Sequence, residues 1–209
     1  MKKLVCAVLF TFLVIACGGA VVHKINFASD YSQDKIKRLA VVDFRVPEQS
    51  SIKRQTINDK FTAALLGAKF KLIDRKDLAK IMGEVEFQTL AEGIIDAKTK
   101  EKLKQIGADT VLTGSLQTYT DKRGADDIYL KSEVHLMAKI LKVETGEVLW
   151  SAEIMKESKA KNVGEKKRYG VIGGESEAES AVKLLDDIVS EMTDSFKEKK
   201  PIVEKIKFW

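Results

Sequence analysis

The sequence predicts an α/β (α+β) domain, a three-layer-like mixed sheet of about five strands with three helices plus a long C-terminal helix. Three observations carry that expectation. Residues 39–44 (Leu-Ala-Val-Val-Asp-Phe) form a continuous apolar run of strand length, the pattern of a strand covered on both faces by helices. Residues 111–154 hold three strand-like runs joined by glycine-bearing turns, and residues 178–196 carry apolar side chains at helical spacing. The 209 residues, 44% hydrophobic and 32% charged, suffice for one ordinary domain and exclude both disorder and a many-span membrane protein. With only two prolines there is no proline-rich linker.

Each element follows in order. After the run at 39–44, Pro47 and the pair Ser50-Ser51 break the chain and offer a helix cap. From 52 to 68, Ile57, Phe61, Ala64, Leu65 and Ala68 recur at three and four, with Gly67 near the end of that helix. Residues 70–73 give a second short strand. Asp74 is placed to cap a helix carrying Leu78, Ile81, Met82 and Val85, and Asp96 to cap another carrying Leu103 and Ile106, stopped by Gly107. Residues 111–119, 128–143 and 148–154 read as three strands, joined by Asp121-Lys122-Arg123-Gly124 and by Glu144-Thr145-Gly146-Glu147. In the middle strand Leu130, Val134, Leu136, Ala138 and Ile140 share one face while Leu141 and Val143 fall on the other, which predicts a bulge or face switch near Ile140. Residues 159–174 are polar and end in Gly173-Gly174, so they read as a loop. The last helix carries Ala178, Ala181, Leu184, Leu185, Ile188, Val189, Met192 and Phe196 in one stripe.

The N-terminus reads as an address. Lys2-Lys3, an apolar run from 4 to 15 and Ala16-Cys17 follow the charged, apolar and small-residue order of a secretory signal, and twelve apolar residues are too few to span a bilayer. The run Leu13-Val14-Ile15-Ala16-Cys17 resembles the bacterial lipobox, which makes Cys17 the lipidated first residue of the mature protein. The three acyl chains that the lipobox resemblance implies exceed what stable anchoring needs, at about 0.8 kcal/mol per buried methylene. Gly18-Gly19 follow the cysteine where the sorting rules of double-membrane bacteria place an inner-membrane retention aspartate, so resemblance to those rules implies the outer membrane, inner leaflet, with the body facing the periplasm. Cys6 lies in the discarded signal, leaving no other cysteine. Loss of Lys2 and Lys3 lowers the formal charge of +5 by two, which argues only weakly for any polyanion, and no basic stripe interleaved with aromatics speaks for nucleic acid. The expected organisation is signal peptide 1–16, tether 17–36 with one short strand, α/β domain 37–158, and basic loop, C-terminal helix and tail 159–209.

Chemistry is sparse, and no enzyme activity or cofactor is expected. Metal binding needs several converging ligands, and the chain has only His23 and His135; Glu133 shares a strand face with His135 without a third ligand. Gly114-Ser115 lacks the second glycine of a nucleophile elbow. Gly170-Val171-Ile172-Gly173-Gly174 is followed by Glu175, Glu177 and Glu179, whose charge repels phosphate. Asp43 and the pair Asp74-Arg75 sit at strand ends, where caps and a structural ion pair account for them. The charge blocks say more. Residues 159–174 hold Lys159, Lys161, Lys166, Lys167 and Arg168 against Glu165, and residues 175–196 hold seven acidic residues against Lys183. Adjacent blocks of opposite sign can pair within one subunit or between copies, so Lys159, Lys161, Lys166, Lys167, Arg168 and Tyr169 are candidate partner or subunit contacts. The C-terminal Phe208-Trp209 lacks the alternating apolar residues of an outer-membrane strand and reads as a tail docking on the body.

With those motifs placed, residues 38–152 resemble the family of the curli secretion component CsgG. The resemblance rests on residues 39–44, Lys69-Phe70-Lys71-Leu72-Ile73-Asp74-Arg75, residues 106–115 (Ile-Gly-Ala-Asp-Thr-Val-Leu-Thr-Gly-Ser), and residues 143–152 (Val-Glu-Thr-Gly-Glu-Val-Leu-Trp-Ser-Ala). The related LpoB family of penicillin-binding-protein activators shares the Lys-Phe, Gly-Ala and Thr-Gly-Glu features on the same fold. CsgG-type channels donate two long amphipathic hairpins to a shared barrel. Here residues 119–128 are a polar turn and residues 155–174 are lysine-rich, so neither fits a spanning strand of about 9 to 11 residues with a lipid-facing side. The resemblance implies first a lipid-anchored, non-enzymatic accessory or assembly subunit of a secretion or surface-structure system. The alternatives are an LpoB-like activator of a peptidoglycan synthase, or an oligomeric outer-membrane pore whose basic loop refolds into strands. The partners expected are the membrane through acylated Cys17, envelope proteins and further copies of the chain. The LpoB resemblance includes a long proline-rich arm, whereas residues 18–36 contain no proline.

Overall fold

The computed structural model describes residues 22–73, 75–124, 127–160 and 177–197. Six strands, β1 (His23–Phe27), β2 (Arg38–Val41), β3 (Lys71–Ile73), β4 (Thr110–Arg123), β5 (Tyr129–Lys142) and β6 (Val148–Lys159), form one mixed sheet in the order β1-β6-β5-β4-β2-β3. β2 runs parallel to β3 and β4, and the remaining pairs are antiparallel. The helices are α1 (Arg54–Leu65), α2 (Arg75–Ala79), α3 (Glu84–Ala91), α4 (Ala97–Gln105) and α5 (Ala181–Thr193). The mixed α/β architecture is the one expected, with one more strand and one more helix than the count read from sequence. The added strand is β1, the short strand expected within the tether, which joins the sheet by pairing along β6 from His23–Ile154 to Phe27–Trp150.

α1 and α5 cover one face of the sheet. Ile57, Phe61 and Leu65 of α1 and the whole stripe from Ala181 to Met192 pack with Leu39, Val41, Leu112, Leu136, Ile140, Trp150 and Ile154. Phe44 stacks on Phe61 at 4.8 Å, and Phe196, in the short 3-10 turn after α5, meets the Trp150 ring edge-on at 5.2 Å. α5 starts at Ala181, later than the sequence suggests. Ser180 caps it by accepting from the Lys183 N–H, and Asp121 of β4 accepts from the Ala181 N–H at 2.7 Å.

The other face is covered only in part. Leu78 of α2, Met82, Phe87 and Leu90 of α3 and Leu103 of α4 pack on Ala40, Val42, Val111 and Val143. The helix expected from Asp74 through Val85 is broken here into α2 and α3. Gly83 starts α3, its N–H donating to Glu86 Oε2 at 2.9 Å, and this turns exposed Val85 outward while Phe87 and Leu90 go in. α4 is capped by Asp96, which accepts from the Thr99 N–H, and closes at Gly107 with φ +73°. Lysines a turn apart then clip α4 to its neighbours. Lys102 and Lys98 hold Glu86 at 2.7 and 3.0 Å, Lys104 and Lys100 hold Glu144, and each set of hydrogen bonds pulls its carboxyl down to about 2.

The hairpin strands run longer than expected. Asp121, Lys122 and Arg123, read as a turn, belong to β4; the Gly124 N–H donates to the Ile128 carbonyl at 2.9 Å, and Asp127 stands at φ +61°. A bulge between Leu116 and Thr118 switches faces, so that Tyr119 and Asp121 point toward α5. The irregularity foreseen near Ile140 is present between Ile140 and Leu141 in the pairing with β6. β5 itself keeps its alternation, because Leu141 and Val143 are buried on the second face.

Candidate interaction surface

Of the residues singled out by sequence, Cys17, Lys161, Lys166, Lys167, Arg168 and Tyr169 lie outside the described residues, as do Asp74 and the aromatic C-terminus. Lys159 ends β6 and pairs with Glu157. Two acidic residues of α5 find partners in the body, Asp186 with Lys60 and Glu191 with Lys156 and His23, while Glu179, just before the helix, and Asp187 pair with Lys183 of the helix itself. Asp43 is a structural ion pair. Arg75 donates to both of its oxygens at 2.6 and 2.8 Å, and Asn58 to one at 2.7 Å. Burial raises this carboxyl, but the bonds from Arg75 and Asn58 outweigh it and hold it below the usual carboxylate range. His135 and Glu133 do not share a ligand: His135 meets Glu153 at 3.1 Å and Glu133 meets Lys131 at 3.0 Å. No group of His, Cys, Asp and Glu among the described residues is placed to hold a metal, and no described helix is long and apolar enough to cross a membrane.

The surface left over by the partial second layer is the feature the sequence reading missed. Odd-numbered residues of β5 (Lys131, Glu133, His135, Met137, Lys139) lie beside odd-numbered residues of β6 (Ser151, Glu153, Met155, Glu157, Lys159), flanked by Lys24 and Asn26 of β1. Registered neighbours include Met137–Glu153 and Lys139–Ser151, and Lys24 closes on Glu153 at 3.6 Å. Like charges stand opposite each other at Glu133–Glu157 and Lys131–Lys159. The diagonal pair Lys131–Glu157, at 3.6 Å, offsets that repulsion. The face is thus a ladder of charge around two methionines, of which Met137 is 39% exposed. Its signal was in the sequence: polar odd positions through β5 that give way to Leu141 and Val143.

At one end of this face a crevice opens against the end of α3. Arg45, Ala91, Glu92, Ser115, Lys139 and Ser151 line it, and its volume is about 320 Å³. It lies over the second face of β4, β5, β6 and β1, with Arg45, which follows β2 and bridges Ser115, at its rim. Backbone bonds fix Arg45, its N–H donating to Gly114 O at 2.9 Å and its carbonyl accepting from Leu116 at 2.8 Å.

Comparison with known proteins settles the kinship. No curated protein matches the chain at a significant level. Among solved structures, the PelC dodecamer from Paraburkholderia phytofirmans is similar at 13% identity and a TM-score of 0.53, covering 87% of this chain and all of that one. The LpoB C-terminal domain from Salmonella enterica is similar at 19% identity and a TM-score of 0.41, covering 57% of this chain and 82% of that one. At such identities the PelC likeness speaks for the fold alone. The model of the peptidoglycan-synthase activator LpoB matches residues 27–155, more than half of the chain, and overturns the resemblance to CsgG. The four motifs behind that resemblance mark shared architecture. They supply strand β2, the Arg75 that holds Asp43, the turn at Gly107 and the turn at Gly146, whose φ is +75°, and none of these reports a secretion function. From the match over 27–155, the chain belongs to the LpoB family.

Proposed function

We propose that this protein is a non-enzymatic component of the cell envelope that binds a peptidoglycan synthase and raises its activity, with the open face of β5, β6 and β1 as its docking surface. The observation that carries the reading is the family match over residues 27–155, which takes in β5, most of β6 and the helices beside them, and so the greater part of the open face. The surface chemistry supports a protein partner. Interleaved charges that are partly paired at home set register and steer encounter, and an exposed methionine supplies adaptable apolar contact. Anchoring belongs to the same proposal: Cys17 carries the acyl chains in the inner leaflet of the outer membrane. Only residues 18–22 separate it from β1, a reach of roughly 20 Å at full extension. The partner therefore meets the protein close to the membrane surface.

The test is to mix the full-length acylated protein with a purified bifunctional peptidoglycan synthase and follow glycan polymerisation from labelled lipid-linked precursor. A rate increase that saturates with added protein is expected. A synthase that neither binds nor changes rate removes the reading.

A further inference from the structure

Resting on the activator reading, we infer that the crevice between Arg45 and Lys139 receives the carboxylate of an acidic side chain carried by the partner protein. The charges of the crevice are unequal. Of its carboxylates, Glu153 is engaged by Lys24 at 3.6 Å and by His135 at 3.1 Å. Arg45 and Lys139 make no ion pair or side-chain hydrogen bond with the described residues, and Glu92 is the one other charged group on the wall. The crevice is therefore one positive charge in excess, and an incoming carboxylate balances it.

Shape agrees with charge. Ser115 and Ser151 are the small side chains on its floor, and Gly114, Ala138 and Ala152, which belong to the opposite face, meet it through their backbone. Ser115 Oγ accepts from Gln117 at 2.6 Å, which leaves its hydroxyl hydrogen free to donate to a guest. Gly93, at φ +79°, makes room for Lys139: a Cβ there would lie 2.1 Å from its Nζ. Arg45 is fixed in its backbone at one wall and Lys139 is seated against Gly93 at the other, so both donors line the same opening. Arg45 offers the planar fork that suits a carboxylate.

The experiment measures affinity of the full-length protein for the purified synthase over a salt series, for the wild type, R45Q/K139Q and E92Q, with circular dichroism melts to confirm folding. R45Q/K139Q is expected to bind at least about tenfold more weakly and with a flatter salt dependence. E92Q, which removes the opposing carboxylate, is expected to bind a few-fold more tightly. R45K/K139R serves as the charge-conserving control, and carbodiimide coupling should join a synthase carboxylate to Lys139 Nζ. Wild-type binding with R45Q/K139Q unchanged overturns the crevice assignment and leaves the activator reading standing. A wild type that does not bind the synthase overturns both.

Discussion

Strand β5 carries two kinds of surface on the same side of its pleat. Lys131, Glu133, His135 and Met137 face outward, Lys139 meets Gly93 at the edge of the helix layer, and Leu141, two residues on, is 2% exposed while Val143 beyond the strand joins the second core. The boundary is where the α2–α4 layer ends. Residues under that layer are fixed by volume and apolarity, since interiors are close-packed. Residues past it are free of that demand and hold a charge ladder that the other face, sealed by α1 and α5, could not accommodate. One face of one sheet thus separates what folding needs from what a partner can use.

The comparison breaks most visibly under the layer. Leu90 of α3 is fully buried, and its carbonyl accepts from the Thr113 hydroxyl at 3.0 Å. Leu90→Ala leaves a cavity between α3 and β4 and is expected to lower unfolding free energy by about 2–5 kcal/mol, read from urea titration. A loss near zero would mean that the layer is loosely held and that the division drawn between the two halves is false.

Next in size is the pair that ties the layer to the sheet. Arg75→Met strands the Asp43 carboxyl, which is 7% exposed, beneath the end of β2. Removing one partner of a buried pair is costly, but Arg75 is 37% exposed and water softens the loss, so about 1–3 kcal/mol is expected. Asp43→Asn/Arg75→Met should recover part of it in the same titration.

Acid probes the clips on α4. Glu86 and Glu144 are pulled down from 4.5 to about 2, so their contribution is complete above the unfolded value and is lost as pH falls through the folded one. The melting temperature should therefore drop steadily from about pH 4.5 to about pH 2, with a shallower slope in Glu86→Gln/Glu144→Gln. An unchanged slope in that variant would show the four lysines to be solvated rather than clipping.

How much of this was legible follows the same boundary. The α5 stripe, the Asp96 cap and the alternation of β5 could be read because each is local, a period or a spacing set by the backbone. The break at Gly83 was hidden because Leu78, Ile81, Met82 and Val85 continue one helical period across it, and only the Glu86 bond to the Gly83 N–H shows where α3 begins. Long-range chemistry was illegible for a different reason. Asp121 accepting from the start of α5, β1 closing the sheet along β6, and Arg45 meeting Lys139 across the crevice join segments that no spacing relates. The resemblance first drawn to CsgG failed in the same way, since its motifs lie in strands and turns that any member of the fold needs.

The smallest effect on folding is expected from the open half, and it decides whether that half is a working surface. Met137 is 39% exposed and stands between Ser115 and Glu153 in register, so Met137→Ala removes little packing and should change stability by no more than about 0.5 kcal/mol. If the face is where the synthase docks, the same substitution should weaken binding several-fold while the melt stays put, because a flexible thioether at the centre of a polar ladder contributes only once a partner covers it. Lys60→Met on the sealed side gives the matching control, since it breaks the pair with Asp186 and should leave binding unchanged. Equal loss from both substitutions would mean that the partner reads the whole body rather than this face, and equal silence would move the docking surface away from the sheet.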